Sequence, residues 1–205
     1  MRSLADLPIV GIVRGATPDN IVPVVEAVVR GGFRSIEITL NSGGAFEQIA
    51  ALREKFGRTI DLGAGTVLTP DAAEKAIAAG AEFIVTPSLI PDVIAYCVEK
   101  GVPVIPGTMT PTEAHNARLA GATMLKVFPS AVLGPDYFRL VKGPYPELRL
   151  LATGGVTLDN AAAFLQAGAD AVGVTGDLFK PVWMANGDWA ALEQRAKEFV
   201  TVVTW

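Results

Sequence analysis

With 205 residues, half of them hydrophobic and 19% charged, the chain is the size of one domain and can bury a large core, which excludes wholesale disorder. Its net charge of −4, from 17 Lys+Arg against 21 Asp+Glu, offers no basic footprint for nucleic acid or an anionic membrane. A single cysteine, Cys97, and a single histidine, His115, exclude an internal disulfide, a cysteine metal cluster and a multi-histidine metal site. No run of about 18 uninterrupted apolar residues suggests a membrane span. The opening Met1-Arg2-Ser3-Leu4-Ala5-Asp6 carries an early acid and no apolar stretch ending in a cleavage site. A soluble, reduced, cytoplasmic protein is the expectation.

The first predicted strand is the apolar run Ile9–Val13, and Thr17-Pro18-Asp19-Asn20 then reads as a helix start with a hydroxyl ahead of proline. That helix closes at Gly31-Gly32 and leads into Phe33-Arg34-Ser35-Ile36-Glu37. The same phrase, a helix ending in glycine followed by a β-rich run, returns at Ala79-Gly80-Ala81-Glu82-Phe83-Ile84-Val85. It returns again at Ala120-Gly121-Ala122-Thr123-Met124-Leu125-Lys126 and at Ala167-Gly168-Ala169-Asp170-Ala171-Val172-Gly173. Shorter apolar runs lie between these, at Thr59–Leu62, Val102–Ile105 and Leu148–Leu151, and further helix starts at Thr69-Pro70-Asp71 and Thr110-Pro111-Thr112-Glu113. Strands are expected to begin near 9, 34, 59, 82, 103, 123, 148 and 170. Each interval suits one strand and one helix and is too short for two helices. Eight βα units at near-constant pitch fit an open doubly wound sheet or a closed (β/α)8 barrel. Regular spacing, with polar punctuation after nearly every strand, favours a compact TIM barrel in one domain spanning residues 1–205. The tail beyond Gly176 is less regular, and Trp183, Trp189 and Trp205 read as packing residues.

In such a barrel the chemistry sits at the C-terminal ends of the strands. Those positions hold Arg14, Glu37 with Asn41, Gly63-Ala64-Gly65-Thr66, Thr86-Pro87, Pro106-Gly107-Thr108, Lys126-Val127-Phe128-Pro129, Thr153-Gly154-Gly155 and Gly173–Gly176. Lys126 lies in the apolar strand Met124-Leu125-Lys126-Val127-Phe128. It reads either as a structural ion-pair or snorkelling lysine, or as a Schiff-base lysine whose burial favours the neutral, nucleophilic amine. Alternation puts Ser35, Glu37 and Thr39 on one face and Ile36, Ile38 and Leu40 on the other, so Glu37 points into the barrel. There it can pair with Lys126, shuttle its protons, or do both. Thr153-Gly154-Gly155 and Gly173-Val174-Thr175-Gly176 fall in the loops after strands 7 and 8, where barrels often bind phosphate through backbone N–H groups and a helix N-terminus. Cys97 reads as a small buried hydrophobe and His115 as helix surface.

Seven ordered motifs together resemble one family, the 2-keto-3-deoxy-6-phosphosugar-acid aldolases. They are Gly11-Ile12-Val13-Arg14-Gly15, Ile36-Glu37-Ile38-Thr39-Leu40-Asn41-Ser42, Gly63-Ala64-Gly65-Thr66-Val67, Val85-Thr86-Pro87, Pro106-Gly107-Thr108-Met109-Thr110-Pro111-Thr112-Glu113, Leu125-Lys126-Val127-Phe128-Pro129 and Thr153-Gly154-Gly155-Val156. The resemblance covers nearly the whole chain. It implies a compact (β/α)8 barrel, a homotrimer, and a class I aldolase with Lys126 as the Schiff-base lysine and Glu37 as the general acid/base. It also implies Arg14, Asn41, Thr66, Pro87, Phe128 and Thr153 around the substrate, and Gly154, Gly155, Thr175 and Gly176 at its phosphate, with no metal or cofactor.

The chain departs from the gluconate-type pattern at Asn41, where many members have the arginine that helps hold the substrate carboxylate; Arg14 or backbone groups take over that task here. Leu40-Asn41-Ser42 and Val13-Arg14-Gly15 look like the galactonate type, whereas Thr153 looks like the gluconate type. Gly176 stands where relatives often place a phosphate-binding serine. The resemblance implies cleavage of 2-dehydro-3-deoxy-6-phosphogalactonate, and of its gluconate epimer as well, to pyruvate and glyceraldehyde 3-phosphate. The rival readings are an aldolase for unphosphorylated 4-hydroxy-2-oxoglutarate and a non-catalytic phosphosugar-binding barrel or assembly scaffold.

Overall fold

The structure, a computed structural model, describes residues 3–204. Trp205 of the expected packing trio lies outside the described residues, as do Met1 and Arg2 of the N-terminal segment. The chain alternates β1 (Ile9–Val13), α1 (Ile21–Arg30), β2 (Ser35–Thr39), α2 (Ala45–Phe56), β3 (Asp61–Gly65), α3 (Pro70–Ala78), β4 (Phe83–Val85) and α4 (Pro91–Glu99). Two short strands follow, β5 (Val104–Ile105) and β6 (Gly107–Thr108), then α5 (Pro111–Leu119), β7 (Leu125–Val127), α6 (Ser130–Leu133) and α7 (Pro135–Lys142). The chain continues through β8 (Leu150–Thr153), α8 (Ala161–Gln166), β9 (Ala171–Val174), α9 (Pro181–Asn186) and α10 (Trp189–Val203).

All strand pairs are parallel, in the order β5-β4-β3-β2-β1-β9-β8-β7-β6. The two ends of that order, β5 and β6, are consecutive in the chain and are the halves of one strand interrupted at Pro106. Proline has no N–H to give a ladder, but its carbonyl still accepts from the Lys126 amide at 2.9 Å, and the Val104 carbonyl accepts from the Thr123 amide at 3.1 Å. The ring is therefore closed, as the strand pitch predicts. Observed strand starts lie within two residues of the expected ones.

Glycine explains the repeated phrase. The residues at 32, 80, 121 and 168 have φ of +110°, +114°, +97° and +105°, a region side-chain-bearing residues avoid. In each case the following amide reaches back to the helix: Phe33 to the Val28 carbonyl, Ala81 to Ala76, Ala122 to Ala117 and Ala169 to Phe164, at 2.9–3.1 Å. These bonds satisfy carbonyls that the helix end leaves free and aim the chain into the next strand.

Two of the three expected hydroxyl caps form. The Thr69 hydroxyl accepts from the Ala72 amide, and Thr110 with Glu113 makes a reciprocal capping box. Thr17 does not cap α1; a turn intervenes, the Asn20 side-chain oxygen accepts from the Thr17 amide at 2.8 Å, and the helix begins at Ile21. The expectation of one helix per interval fails once. Between β7 and β8 the chain fits both α6 and α7, because α6 has only four residues and Gly134, at φ +74°, lets the chain turn between them.

The apolar residues divide between two layers. Ile36, Ile38, Leu62, Ala64, Ile84, Leu125, Val127, Leu150, Ala152 and Val172 face outward and join the helices in the larger core. Inside the ring is a small separate cluster of Leu4, Val10, Ile12, Phe83, Val85, Ile105, Met124, Leu151 and Ala171. Leu4 belongs to an N-terminal 3₁₀ turn at Ser3–Ala5, anchored where the Ser3 amide and hydroxyl both donate to Asp61 Oδ2, at 2.8 and 2.6 Å. Asp61 opens β3, so this anchor marks the N-terminal end of the barrel.

The tail is helical. Helix α10 packs on α1, with Ala196 against Gly31. Trp183 and Trp189 are half-buried against the outer core. Cys97 is fully buried on α4, where burial pushes its thiol up to about 11. His115 is exposed on α5. Among the described residues, no helix is long and apolar enough to cross a membrane.

Candidate active site

Strand parity decides which side chains enter the ring. Ile12 pairs with Glu37 and Glu37 with Gly63 across β1, β2 and β3; Gly107 pairs with Lys126 and Lys126 with Leu151 across β6, β7 and β8. Ile12 and Leu151 belong to the inner cluster, so Glu37 and Lys126 share the interior with it. Both are buried, Glu37 completely and Lys126 to 6% exposure. Of the twelve residues selected from sequence, Glu37 and Lys126 are the central residues of β2 and β7, Thr153 is the last residue of β8, and the other nine lie in the loops that follow the strands, so the set gathers from the middle of the ring to its C-terminal end.

Glu37 sits centrally in β2. Neither carboxylate oxygen has a hydrogen-bonding protein partner. Burial pushes its carboxyl above the usual carboxylate range, and the positive charges of Lys126 and Arg14 pull it partly back. The group thus keeps its proton to higher pH than an ordinary carboxyl, and is close enough to both cations to respond to them. The room for it comes from β3: a methyl group on Gly65 would lie 1.7 Å from Glu37 Oε1. Lys126 Nζ lies 5.2 Å from the centroid of the Phe128 ring, within cation–π range. Phe128 follows β7, is 40% exposed, and forms an apolar wall at the mouth. A buried amine flanked by a ring face, with a buried and unbonded carboxylate nearby, can carry out nucleophilic addition and proton transfer without a metal.

The other selected residues occupy the rim. Arg14 is exposed directly after β1, and Asn41 is exposed in the turn after β2. Thr66, after β3, is half-buried at φ +57°, the one non-glycine residue with positive φ among the described residues. Pro87 is half-buried after β4, and its carbonyl would lie 2.2 Å from a methyl on Gly107. Thr153 ends β8 and is buried. Its amide donates to the Ser130 hydroxyl at 2.9 Å and its own hydroxyl to the Leu151 carbonyl at 3.3 Å.

Gly154 and Gly155 have φ of +84° and +80°. A methyl at Gly154 would collide with the Phe128 ring, which brings the loop after β8 against the wall after β7. Thr175 is half-buried and Gly176 exposed after β9. The expected helix N-terminus does not directly follow either glycine pair: α8 begins at Ala161 and α9 at Pro181, each six residues long. What these loops present locally is backbone.

Two features were missed from sequence. One is the space that Gly65 leaves for Glu37. The other is Gln48, which is buried on α2 and donates to the carbonyls of Ala16 and Gly43. Its signal was available, because Gln48 falls on the buried stripe Ala45, Gln48, Ile49 and Leu52, where an uncharged polar residue needs a partner.

The sequence of residues 1–195 matches the family model described as KDPG and KHG aldolase. The chain belongs to the KDPG and KHG aldolase family. It is 40% identical over 181 residues to the 2-dehydro-3-deoxy-6-phosphogalactonate aldolase of Escherichia coli (strain K12), covering 88% of each chain. It is 36% identical over 207 residues to the 2-dehydro-3-deoxy-phosphogluconate aldolase of Treponema pallidum (strain Nichols), covering 98% of each. A solved structure named "Native KDPGal structure" superposes with a TM-score of 0.90 at 38% identity, covering 96% of this chain and 94% of that one. This aldolase is therefore a lyase on a parallel barrel, as its motifs imply.

Proposed function

We propose that this aldolase cleaves 2-dehydro-3-deoxy-6-phosphogalactonate, and its gluconate epimer as well, to pyruvate and D-glyceraldehyde 3-phosphate through a Schiff base on Lys126. The observation that carries the reading is the presence inside the ring of both a buried lysine and a buried carboxylate that feels its charge and has no hydrogen-bonding protein partner. The names of the 40%- and 36%-identical relatives support the choice of substrates.

In this mechanism the neutral Lys126 amine adds to the C2 ketone, and loss of water from the carbinolamine gives an iminium. Glu37 accepts the proton of the C4 hydroxyl. The C3–C4 bond breaks, its electron pair moves toward the iminium nitrogen, and C4 becomes the aldehyde carbon of the leaving triose phosphate. Glu37 returns its proton to C3 of the remaining enamine, and water then releases pyruvate and regenerates the amine. A carboxyl shifted above its usual range is a stronger base when ionised, which suits it to accept the hydroxyl proton. Arg14 holds the substrate carboxylate; Asn41, Thr66, Pro87, Phe128 and Thr153 line the substrate; and backbone groups of Gly154, Gly155 and Gly176, with Thr175, take the phosphate. The enzyme works as a cytoplasmic homotrimer, so sedimentation should return three times the 21.5 kDa chain mass.

Borohydride reduction in the presence of pyruvate, followed by peptide mass mapping, tests the reading. The expected result is one reduced adduct, on Lys126, absent from Lys126→Ala along with turnover. An adduct on another lysine, or turnover by Lys126→Ala, would overturn it.

A further inference from the structure

The segment from Val13 to Ala16 carries Arg14 from the end of β1 onto the rim, and it is held at three points, Val13, Gly15 and Ala16. The Thr39 hydroxyl donates to the Val13 carbonyl at 3.2 Å. The Gly15 amide donates to the Ser42 hydroxyl at 3.1 Å. The Gln48 amide donates to the Ala16 carbonyl at 3.0 Å. The three holding residues are themselves coupled: the Thr39 and Ser42 hydroxyls lie 3.1 Å apart, and the Gln48 amide nitrogen gives its second hydrogen to the Gly43 carbonyl at 2.8 Å. All three come from β2, the turn after it and α2, the stretch that also carries Glu37 and Asn41.

Gln48 is 1% exposed, and its two acceptors are both carbonyls, so the NH2 end of the amide must face them. The arrangement secures the backbone on either side of Arg14 while leaving the Arg14 side chain exposed at the mouth. Arg14 follows Ile12, whose side chain lies in the inner cluster, by two positions, so alternation directs it toward the same opening.

We infer that Gln48 is a positioning residue for Arg14. With Thr39 and Ser42 it clamps the loop after β1 to the loop after β2, and so fixes where the guanidinium meets the substrate carboxylate. The inference rests on the reading that Arg14 holds that carboxylate. The clamp gives the reading a physical basis: a long, exposed arginine side chain grips a planar anion well only from a fixed backbone origin, because each side-chain rotamer ordered on binding subtracts from affinity.

Gln48→Met keeps the side-chain length and removes the donor. In steady-state kinetics with 2-dehydro-3-deoxy-6-phosphogalactonate, this variant should lose about 10-fold in kcat/KM, mostly through KM, since displacement of a positioning group by even a fraction of an ångström is costly. In an Arg14→Ala background the same substitution should change kcat/KM less than twofold, because the group it positions is gone. If Gln48→Met fails to fold, Ser42→Ala removes the Gly15 anchor more gently and should show the same dependence on Arg14.

Equal losses in both backgrounds would overturn the inference, since the residue would then act on the fold at large. No loss in the presence of Arg14 would overturn it too. Full kcat/KM in Arg14→Ala alone would defeat it at its premise, and absence of a wild-type Lys126 adduct would instead defeat the aldolase mechanism.

Discussion

Gly65→Ala adds one methyl group beside the carboxylate assigned as the base. The added carbon would lie 1.7 Å from Glu37 Oε1, 2.4 Å from Cδ and 2.8 Å from Cγ. Ordinary van der Waals contact begins near 3.4 Å, so the carboxylate must retreat by about the difference, ~1.7 Å, a displacement for which catalytic positioning has no tolerance. Gly65 is the last residue of β3 and does not have positive φ, so alanine meets no backbone objection and the clash alone is tested. Overpacking of this kind costs about 1–3 kcal/mol of stability, and misplacing a catalytic group by ~1 Å costs on the order of 10² in rate. Gly65→Ala should therefore stay folded with a lowered Tm, lose about 10²-fold or more in kcat, and still form the borohydride-trapped adduct on Lys126. In a Glu37→Ala background the methyl has room, and the Tm cost of Gly65→Ala should largely disappear. A Gly65→Ala enzyme with kcat within threefold of wild type would refute the assignment of Glu37 at its observed position.

Glu37→Gln removes a carboxyl that burial holds above its ordinary value of 4.5. A raised folded-state value means the folded chain keeps this proton after the unfolded chain has released it, so wild-type stability is full below about 4.5 and declines as pH rises toward the folded value. Glu37→Gln should consequently have a Tm advantage over wild type that grows with pH above that point, and should lose roughly 10²–10⁴-fold in kcat; a Tm difference independent of pH would contradict the shift. The acid limb of the wild-type kcat/KM profile should fall above 4.5, and an inflection at or below it would assign the base elsewhere. Thr153→Val removes one hydroxyl at the mouth, worth about 0.5–1.5 kcal/mol or roughly 2- to 13-fold, so wild type should cleave both C4 epimers within about tenfold and the variant should shift toward the galactonate. Wild-type discrimination beyond about a thousandfold would place stereochemical control in other contacts. Exhaustive EDTA treatment should leave turnover intact, and loss restored by Zn²⁺ or Mg²⁺ would contradict the iminium mechanism.

The legible parts of this sequence were those governed by period and residue type. Alternation alone put Ser35, Glu37 and Thr39 on the inner face of β2. A lysine between Leu125 and Val127 marked itself by having no solvated position to occupy. The glycines at 32, 80, 121 and 168 announced helix ends because one conformation is required there and few residues adopt it. What escaped were features defined by neighbours distant in sequence. Pro106 could be read as a strand end, but not as the break at which a ring closes, because closure depends on Lys126 and Thr123 reaching the carbonyls on either side of it. The split of one connection into α6 and α7 followed from the turn at Gly134, which no period reveals. Gln48 was visible as a polar residue on a buried stripe, yet its two acceptors, at 16 and 43, lie on different loops.

Those long-range features share a logic that explains how so small a barrel makes room for chemistry. Among the described residues the outer layer, where strands meet helices, holds most of the buried apolar side chains, while the interior cluster has nine. Stability at roughly 1.5–3 kcal/mol per fully buried large aliphatic is thus concentrated outside the ring. Inside, glycine occupies the inward positions 63, 65, 107 and 173. A methyl at these would strike Phe83 at 2.2 Å, Glu37 at 1.7 Å, the Pro87 carbonyl at 2.2 Å and Thr153 at 2.6 Å. Three of these glycines leave space for a larger side chain from the neighbouring strand: the Phe83 ring that fills the interior, the Glu37 carboxylate, and Thr153 at the mouth. The cost is lost inner packing and greater chain entropy at each glycine. Because the helix–sheet layer supplies the bulk of the burial, the fold can bear that cost, and it can also bear a buried carboxylate held without a hydrogen-bonding protein partner.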